Sequence, residues 1–117
     1  MDKITAFNAL VYGAFAAAKH AHACAFSDPE KGTCEDKVSA LSYAAACTAK
    51  YSAAEAMYWC SPELADDTIP TLFAKFDSFT EEIRSDYRTD HSRQWVDLIF
   101  SELADLYANF ECRMKHR

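Results

Sequence analysis

After Pro70 the chain runs to Arg117 without a glycine or a proline. Before it, the only breakers are Gly13, Pro29, Gly32 and Pro62. Each Gly or Pro inside a helix costs stability, so their scarcity permits long helices, and their bunching near 29–32 and 62–70 marks where helices must end. Half of the 117 residues are apolar or aromatic. That is ample for one hydrophobic core in a single domain, 1–117, without the help of metals or disulfides.

Placing the residues at 100° per step yields four helical segments, at about 3–26, 34–60, 69–87 and 91–115. In the first, Ile4, Phe7, Val11, Ala14, Phe15, Ala18, His22 and Ala25 share a face. Ser27-Asp28-Pro29 and Lys31-Gly32 then signal a turn, and Thr33 with Asp36 resembles a capping box opening the second helix. Ser61-Pro62 can start a short extra turn over 61–67, and Pro70 a third helix striped by Ile69, Leu72, Phe73, Phe76, Phe79, Ile83 and Tyr87. Asp90 is the expected N-cap of the fourth, whose core face reads Trp95, Ile99, Leu103, Leu106, Phe110 and Met114. No strand-like alternation or internal repeat occurs. Short connections favour antiparallel neighbours, so the expected fold is an all-α, antiparallel, up-down four-helix bundle.

Helices 3 and 4 have acidic backs, Asp77 and Glu81 on one and Asp97 and Asp105 on the other. Helices 1 and 2 do not. The back of helix 1 carries Ala6, Gly13, Ala17, His20 and Cys24. On helix 2, Val38, Leu41, Ala45, Ala49, Ser52 and Ala56 are expected to face inward, with Tyr43, Cys47, Tyr51, Ala54 and Tyr58 as an aromatic ladder on the other side. A helix apolar nearly all round is normally buried between neighbours. Three arrangements would cover the ladder: helices 3 and 4 of the same chain, a second copy meeting it through helices 1 and 2, or a foreign partner gripped by the tyrosines.

The net charge is −6, and it is uneven: residues 61–111 hold twelve acids against four bases, whereas 1–60 are nearly balanced. Direct nucleic-acid binding needs clustered Lys and Arg and is not expected; a protein partner with a basic surface is. The five cysteines, Cys24, Cys34, Cys47, Cys60 and Cys112, form no CxxC pair and read as free thiols in a reducing cytoplasm. The N-terminal run imitates a secretory leader, but Asp2, Asn8, Lys19, His20 and His22 spoil it, and it reads as part of the fold. No stretch approaches the roughly 18 uninterrupted apolar residues of a membrane span.

In the up-down arrangement the end of helix 1, the start of helix 2 and the helix 3–4 turn share one pole. His20, His22, Cys24, Cys34, Arg84, Arg88, Asp90 and His91 would gather there. His20 and Cys24 are four apart on one helical face and are the candidate metal ligands, with Cys34 or His91 to complete a set; His22 points to the core face. Arg84 and His91, with Ser85 after the arginine, resemble the R-x4–6-H motif of HEPN-family ribonucleases, which are small helical bundles. That resemblance implies an arginine stabilising a phosphorane and a histidine handling a proton. The other reading of Arg-Ser-Asp-Tyr-Arg-Thr-Asp-His is a polar turn whose charges suit the helix ends they sit on. Nothing suggests a phosphate loop, a GxSxG elbow, a paired-carboxylate site at Glu81-Glu82 or a di-iron Glu-x-x-His, and no cofactor is expected.

The leading expectation is therefore a non-enzymatic binding protein that masks or inhibits a partner, using Tyr43, Tyr51 and Tyr58 or the acids Asp77, Glu81, Asp97 and Asp105. In size and charge it resembles small acidic inhibitors such as anti-CRISPR proteins and toxin-immunity proteins. The alternative is a metal-independent, HEPN-like ribonuclease acting through Arg84 and His91.

Overall fold

Aspartates start the helices. The computed structural model describes residues 2–26, 30, 32, 35–85 and 90–115, with side chains in the last stretch from 93 onward. Asp2 accepts the Thr5 N–H at 2.8 Å and opens α1, Lys3–Ala25. Asp36 accepts the Ser39 N–H at 3.0 Å and opens α2, Lys37–Trp59, so this helix begins later than its apolar pattern suggests. Thr33 lies outside the described residues. After α2, Pro62 sits at the first position of a 3-10 turn, Pro62–Leu64, that drives Leu64 into the core.

Asp66 then organises the entry to α3, Thr68–Arg84. Its carboxylate accepts both the Thr68 N–H at 2.9 Å and the Thr68 hydroxyl at 2.7 Å, and its carbonyl accepts the Ile69 N–H. Pro70 therefore falls inside the first turn, where its missing N–H deprives no carbonyl. The same carboxylate takes a two-pronged contact from Arg113, at 3.1 and 3.3 Å. One aspartate thus ties the start of α3 to the end of α4, Asp90–Lys115.

The four helices form an antiparallel up-down bundle. Phe7 meets Phe110, and His22 meets Asp97, so α1 and α4 run in opposite directions. Tyr58 against Phe73 sets α2 against α3 in the same way, and Phe79 against Phe100 with Lys75–Glu102 sets α3 against α4. α2 and α4 occupy opposite corners of a rod measuring 44 × 22 × 22 Å. Among the described residues there is no strand, and no helix is long and apolar enough to cross a membrane.

The two halves of the core differ in material. α1 and α2 share the most extensive interhelical contact, made by buried alanines at 14, 17, 18 and 21 on one helix and 40, 44 and 54 on the other. Small side chains let two backbones approach closely. Gly13 belongs to this seam: a Cβ there would come within 2.9 Å of the Lys50 side chain. The α3 side is filled by Phe73, Phe76 and Phe79 with Leu72 and Ile83, as its stripe predicts; Tyr87, the last residue of that stripe, lies outside the described residues.

Three faces are set differently from their sequence pattern. On α2 the core positions are Ala40, Ala44, Cys47, Tyr51 and Ala54, so the expected ladder points in and Val38, Ala45, Ala49, Ser52 and Ala56 point to solvent. Leu41 is half-buried. Tyr51 can be buried because its hydroxyl donates to Asp77 at 2.9 Å, giving its polar tip a partner. On α4, Ile99, Leu103 and Phe110 are buried as expected, but Val96 and Tyr107 join them in the core while Trp95 stays half-exposed. On α1, Ile4 is exposed near the helix start and His22 lies at the edge of the core.

Burial works to raise the Asp66 carboxyl, but the Thr68 hydrogen bonds and the Arg113 guanidinium outweigh it and hold the group below its ordinary 3.8. Its stabilisation is therefore present above about pH 4 and lost as pH falls through the lower folded value. Asp66→Ala is expected to cost about 1–2 kcal/mol in urea denaturation at neutral pH, the range for losing a helix cap, with the deficit shrinking in acid.

Candidate functional site

The α1–α4 seam is built from two stripes of matching period. On α1, Asn8, Tyr12, Phe15, Lys19, His22 and Phe26 step by four and three residues; on α4, Arg93, Asp97, Phe100, Ala104, Tyr107 and Glu111 do the same. Such spacing keeps each set on one helical line. Running in opposite directions, the stripes meet rung by rung. The Arg93 guanidinium lies 5.2 Å above the Phe26 ring. His22 Nε2 and Asp97 Oδ1 are 2.8 Å apart. His22 lies flat on Phe100 at 4.3 Å, Phe100 is parallel to Phe15 at 6.1 Å, and Phe15 stacks on Tyr107 at 4.2 Å, each pair within 6° of parallel. The column ends where the Tyr107 hydroxyl donates to Glu111 at 3.2 Å.

Beside that end a groove of about 210 Å³ opens between Asn8, Tyr12, Tyr107, Phe110, Glu111 and Met114. Burial, together with the Glu111 carboxylate and Tyr12, pushes the Tyr107 hydroxyl up to about 12. The His22–Asp97 pair joins α1 to α4 at the edge of the core, and among the described residues no hydroxyl or thiol is hydrogen-bonded to His22. Its geometry is that of a clamp closing the bundle.

The residues singled out from sequence fall in different places. Tyr51 is only 5% exposed, and Tyr58 is half-buried against Phe73 with its hydroxyl 3.4 Å from the Asp66 carbonyl; neither ring is offered to a partner. Of the three arrangements that would cover the ladder, cover from within the chain is the one found for Tyr51 and Tyr58, and α3 supplies it, so these two rings are not free for the partner contact expected of them. Tyr43 remains exposed and stacks on His20 at 4.9 Å. Asp77 is engaged by Tyr51 and Asp97 by His22, whereas the exposed Glu81 and Asp105 carboxylates have no ion-pair partner among the described residues.

At the expected metal pole, His20 and Cys24 are four residues apart on α1, and Cys24 packs at the edge of the core. Among the described residues no three His, Cys, Asp or Glu side chains are grouped as metal ligands. Cys34, Arg88 and the side chains of Asp90 and His91 lie outside the described residues, as does the pairing of Arg84 with His91. Arg84 itself is exposed at the last position of α3.

Pattern-reading missed the exposed apolar side chains. Trp95 and Leu98 on α4 are 47% and 50% exposed, and seven residues beyond each stands an acid, Glu102 and Asp105. Seven residues is two helical turns, so each pair shares a line on the outer side of α4. Glu102 is bridged to Lys75 at 3.3 Å. The signal was present as this seven-residue repeat, hidden because Trp95 reads as core on size alone. No protein-family model matches the chain, and no curated protein or solved structure matches it either.

The raised Tyr107 value has a definite sign. Between about pH 10 and 12 the folded protein keeps a proton that the unfolded chain gives up, so stability falls across that window. Burial and the Asp77 carboxylate raise the Tyr51 hydroxyl as well, so ultraviolet phenolate titration should show late-titrating tyrosines with one component near pH 12, and Tyr107→Phe should remove that component and reduce the alkaline loss of stability.

Proposed function

We propose that this chain is a non-enzymatic binding protein that docks the outer face of α4 onto a basic surface of another protein and masks it. The observation that carries the reading is the conjunction on one helix face of two half-exposed apolar anchors, Trp95 and Leu98, with the carboxylates of Glu102 and Asp105. A tryptophan anchor ringed by charge is the usual make-up of an interface hot spot. The net charge of −6, concentrated in residues 61–111, supplies the long-range attraction. The Lys75–Glu102 bridge is a surface pair of little net worth, so Glu102 exchanges it readily for a base on the partner. A surface basic enough to attract this face is one that a polyanion such as nucleic acid would otherwise occupy. The mechanism is therefore competitive occupation, with no bond made or broken.

The test is a photo-crosslinking residue at position 98 in the native host, followed by kinetics with the captured protein. Association is expected to slow as ionic strength rises from low to physiological. Trp95→Ala should weaken binding by at least about tenfold, the effect of losing a hot-spot anchor. Tyr12→Ala, which removes a still more exposed ring from α1, should leave it unchanged. A salt-independent association rate, or equal losses for the two substitutions, would contradict the reading.

A further inference from the structure

The outward face of α2 carries a heptad that none of the described residues covers. Val38, Ser42, Ala45, Ala49, Ser52, Ala56 and Trp59 step by four, three, four, three, four and three residues, and all seven are exposed. The repeat runs the whole length of the helix and contains no charged residue, in a chain where 26% of residues are charged. The outward faces of α3 and α4, by contrast, carry Glu81 and Asp105. A solvent-facing helix surface is ordinarily charged, and an uncharged seam at heptad spacing is what a helix needs to pack against another helix.

The order of sizes along this seam points to one occupant. Its two large residues stand at the ends: Val38 is 79% exposed and Trp59 69%. Between them every position is Ala or Ser. Turned end for end about a point beside Ala49, the seam meets itself with each Trp59 over the opposite Val38, Ala45 beside Ser52, and Ala49 beside Ala49. A two-fold interface demands such self-complementarity. The small central residues let the helix axes come close, and the large terminal ones fill the space left at either end. Charge favours the same answer, because two chains of net −6 repel wherever their acidic faces meet and can approach only along a side without charge.

We propose that the outer face of α2 is a self-association surface, on which a second copy of the chain packs antiparallel with Trp59 of each copy over Val38 of the other. A helix of this length presents a strip about 34 Å by 10 Å, roughly 350 Å² per copy. That is well below the ~800 Å² per partner of a standing interface, so the pairing is concentration-dependent, with half-association on the order of 100 µM. Because α2 and α4 stand at opposite corners, the dimer leaves both α4 faces pointing outward, and a partner with two basic sites would be held by two contacts at once. The dimer does not depend on the α4 docking reading.

Sedimentation velocity on the full chain from about 5 µM to 1 mM tests it. The expected result is a weight-average mass rising from 13.2 kDa towards twice that value. Ala49→Glu sets two carboxylates against each other at the two-fold and should hold the mass at the monomer value across the range. Ser52→Glu should do the same, and Asp105→Lys, on the far side of the bundle, should still dimerise. Positions 49 and 52 are exposed, so helical circular dichroism and melting should be unchanged in both glutamate variants. A monomer throughout, or association that survives Ala49→Glu and Ser52→Glu, overturns the proposal. So does a photo-crosslinker at position 38 that joins residues near 38 rather than near 59 of the second copy.

Discussion

The rotational setting of α2 decides the rest of the structure, and Tyr51 holds it. Alanine and serine occupy so much of this helix that shape alone would allow several faces to turn inward. The Tyr51 ring is parallel to Phe76 at 5.6 Å, and its hydroxyl reaches Asp77. Burying an aromatic ring with its polar end satisfied favours one orientation over the alternatives. With Tyr51 inside, Cys47 and Ala54 must follow it in, and the seam from Val38 to Trp59 must face out. Both the closed core and the open surface of α2 follow from this one tyrosine.

The opposite corner is closed by a different device. α1 meets α2 through alanines, but it meets α4 through rings and charges: Phe15, Phe100, Tyr107, the His22–Asp97 pair and Arg93 over Phe26. Stacked rings span more space than alanines, which leaves room for the groove beside Tyr12 and Glu111. The acids of the bundle are separated from its uncharged seam, so the chain has two outward surfaces of different chemistry, an acidic one with tryptophan and leucine anchors on α4 and a neutral, small-residue one on α2.

How much of this was legible in the sequence depended on side-chain size. α3 was readable because Ile69, Leu72, Phe73, Phe76, Phe79 and Ile83 are all large and lie on one line, with polar residues opposite. α2 was not, because Val38 and Leu41 outweigh Ala40 and Ala44 on any hydrophobicity count, although the small alanines are what the close α1–α2 approach needs. The same bias placed Trp95 inside and overlooked Val96. The start of α1 was placed correctly although its cap, Asp2, went unread, and α2 starts later than expected because Asp36 caps it itself. Of the residues expected to meet a partner, Glu81 and Asp105 are outside and unpaired among the described residues, whereas Tyr51 and Tyr58 went into the core through contacts with α3 that no pattern within α2 reveals. The α1–α4 stripes were visible as spacing, but their meaning required knowing that the two helices are neighbours.

The most direct measurement of this account is the thiol-labelling rate at two positions on α2, read by peptide mass spectrometry. Cys47 is fully buried, and burial pushes its thiol up to about 12. A cysteine placed at Ala49, two residues and about 200° further round the helix, faces solvent. The account predicts that in the folded protein near pH 8 the Ala49→Cys thiol reacts as fast as an unhindered one, while Cys47 reacts only when the chain unfolds. Rapid labelling of Cys47 in the folded state, with protection at position 49 in the monomer, would mean that α2 is turned the other way, and the core, the exposed seam and the self-association surface would all be wrong.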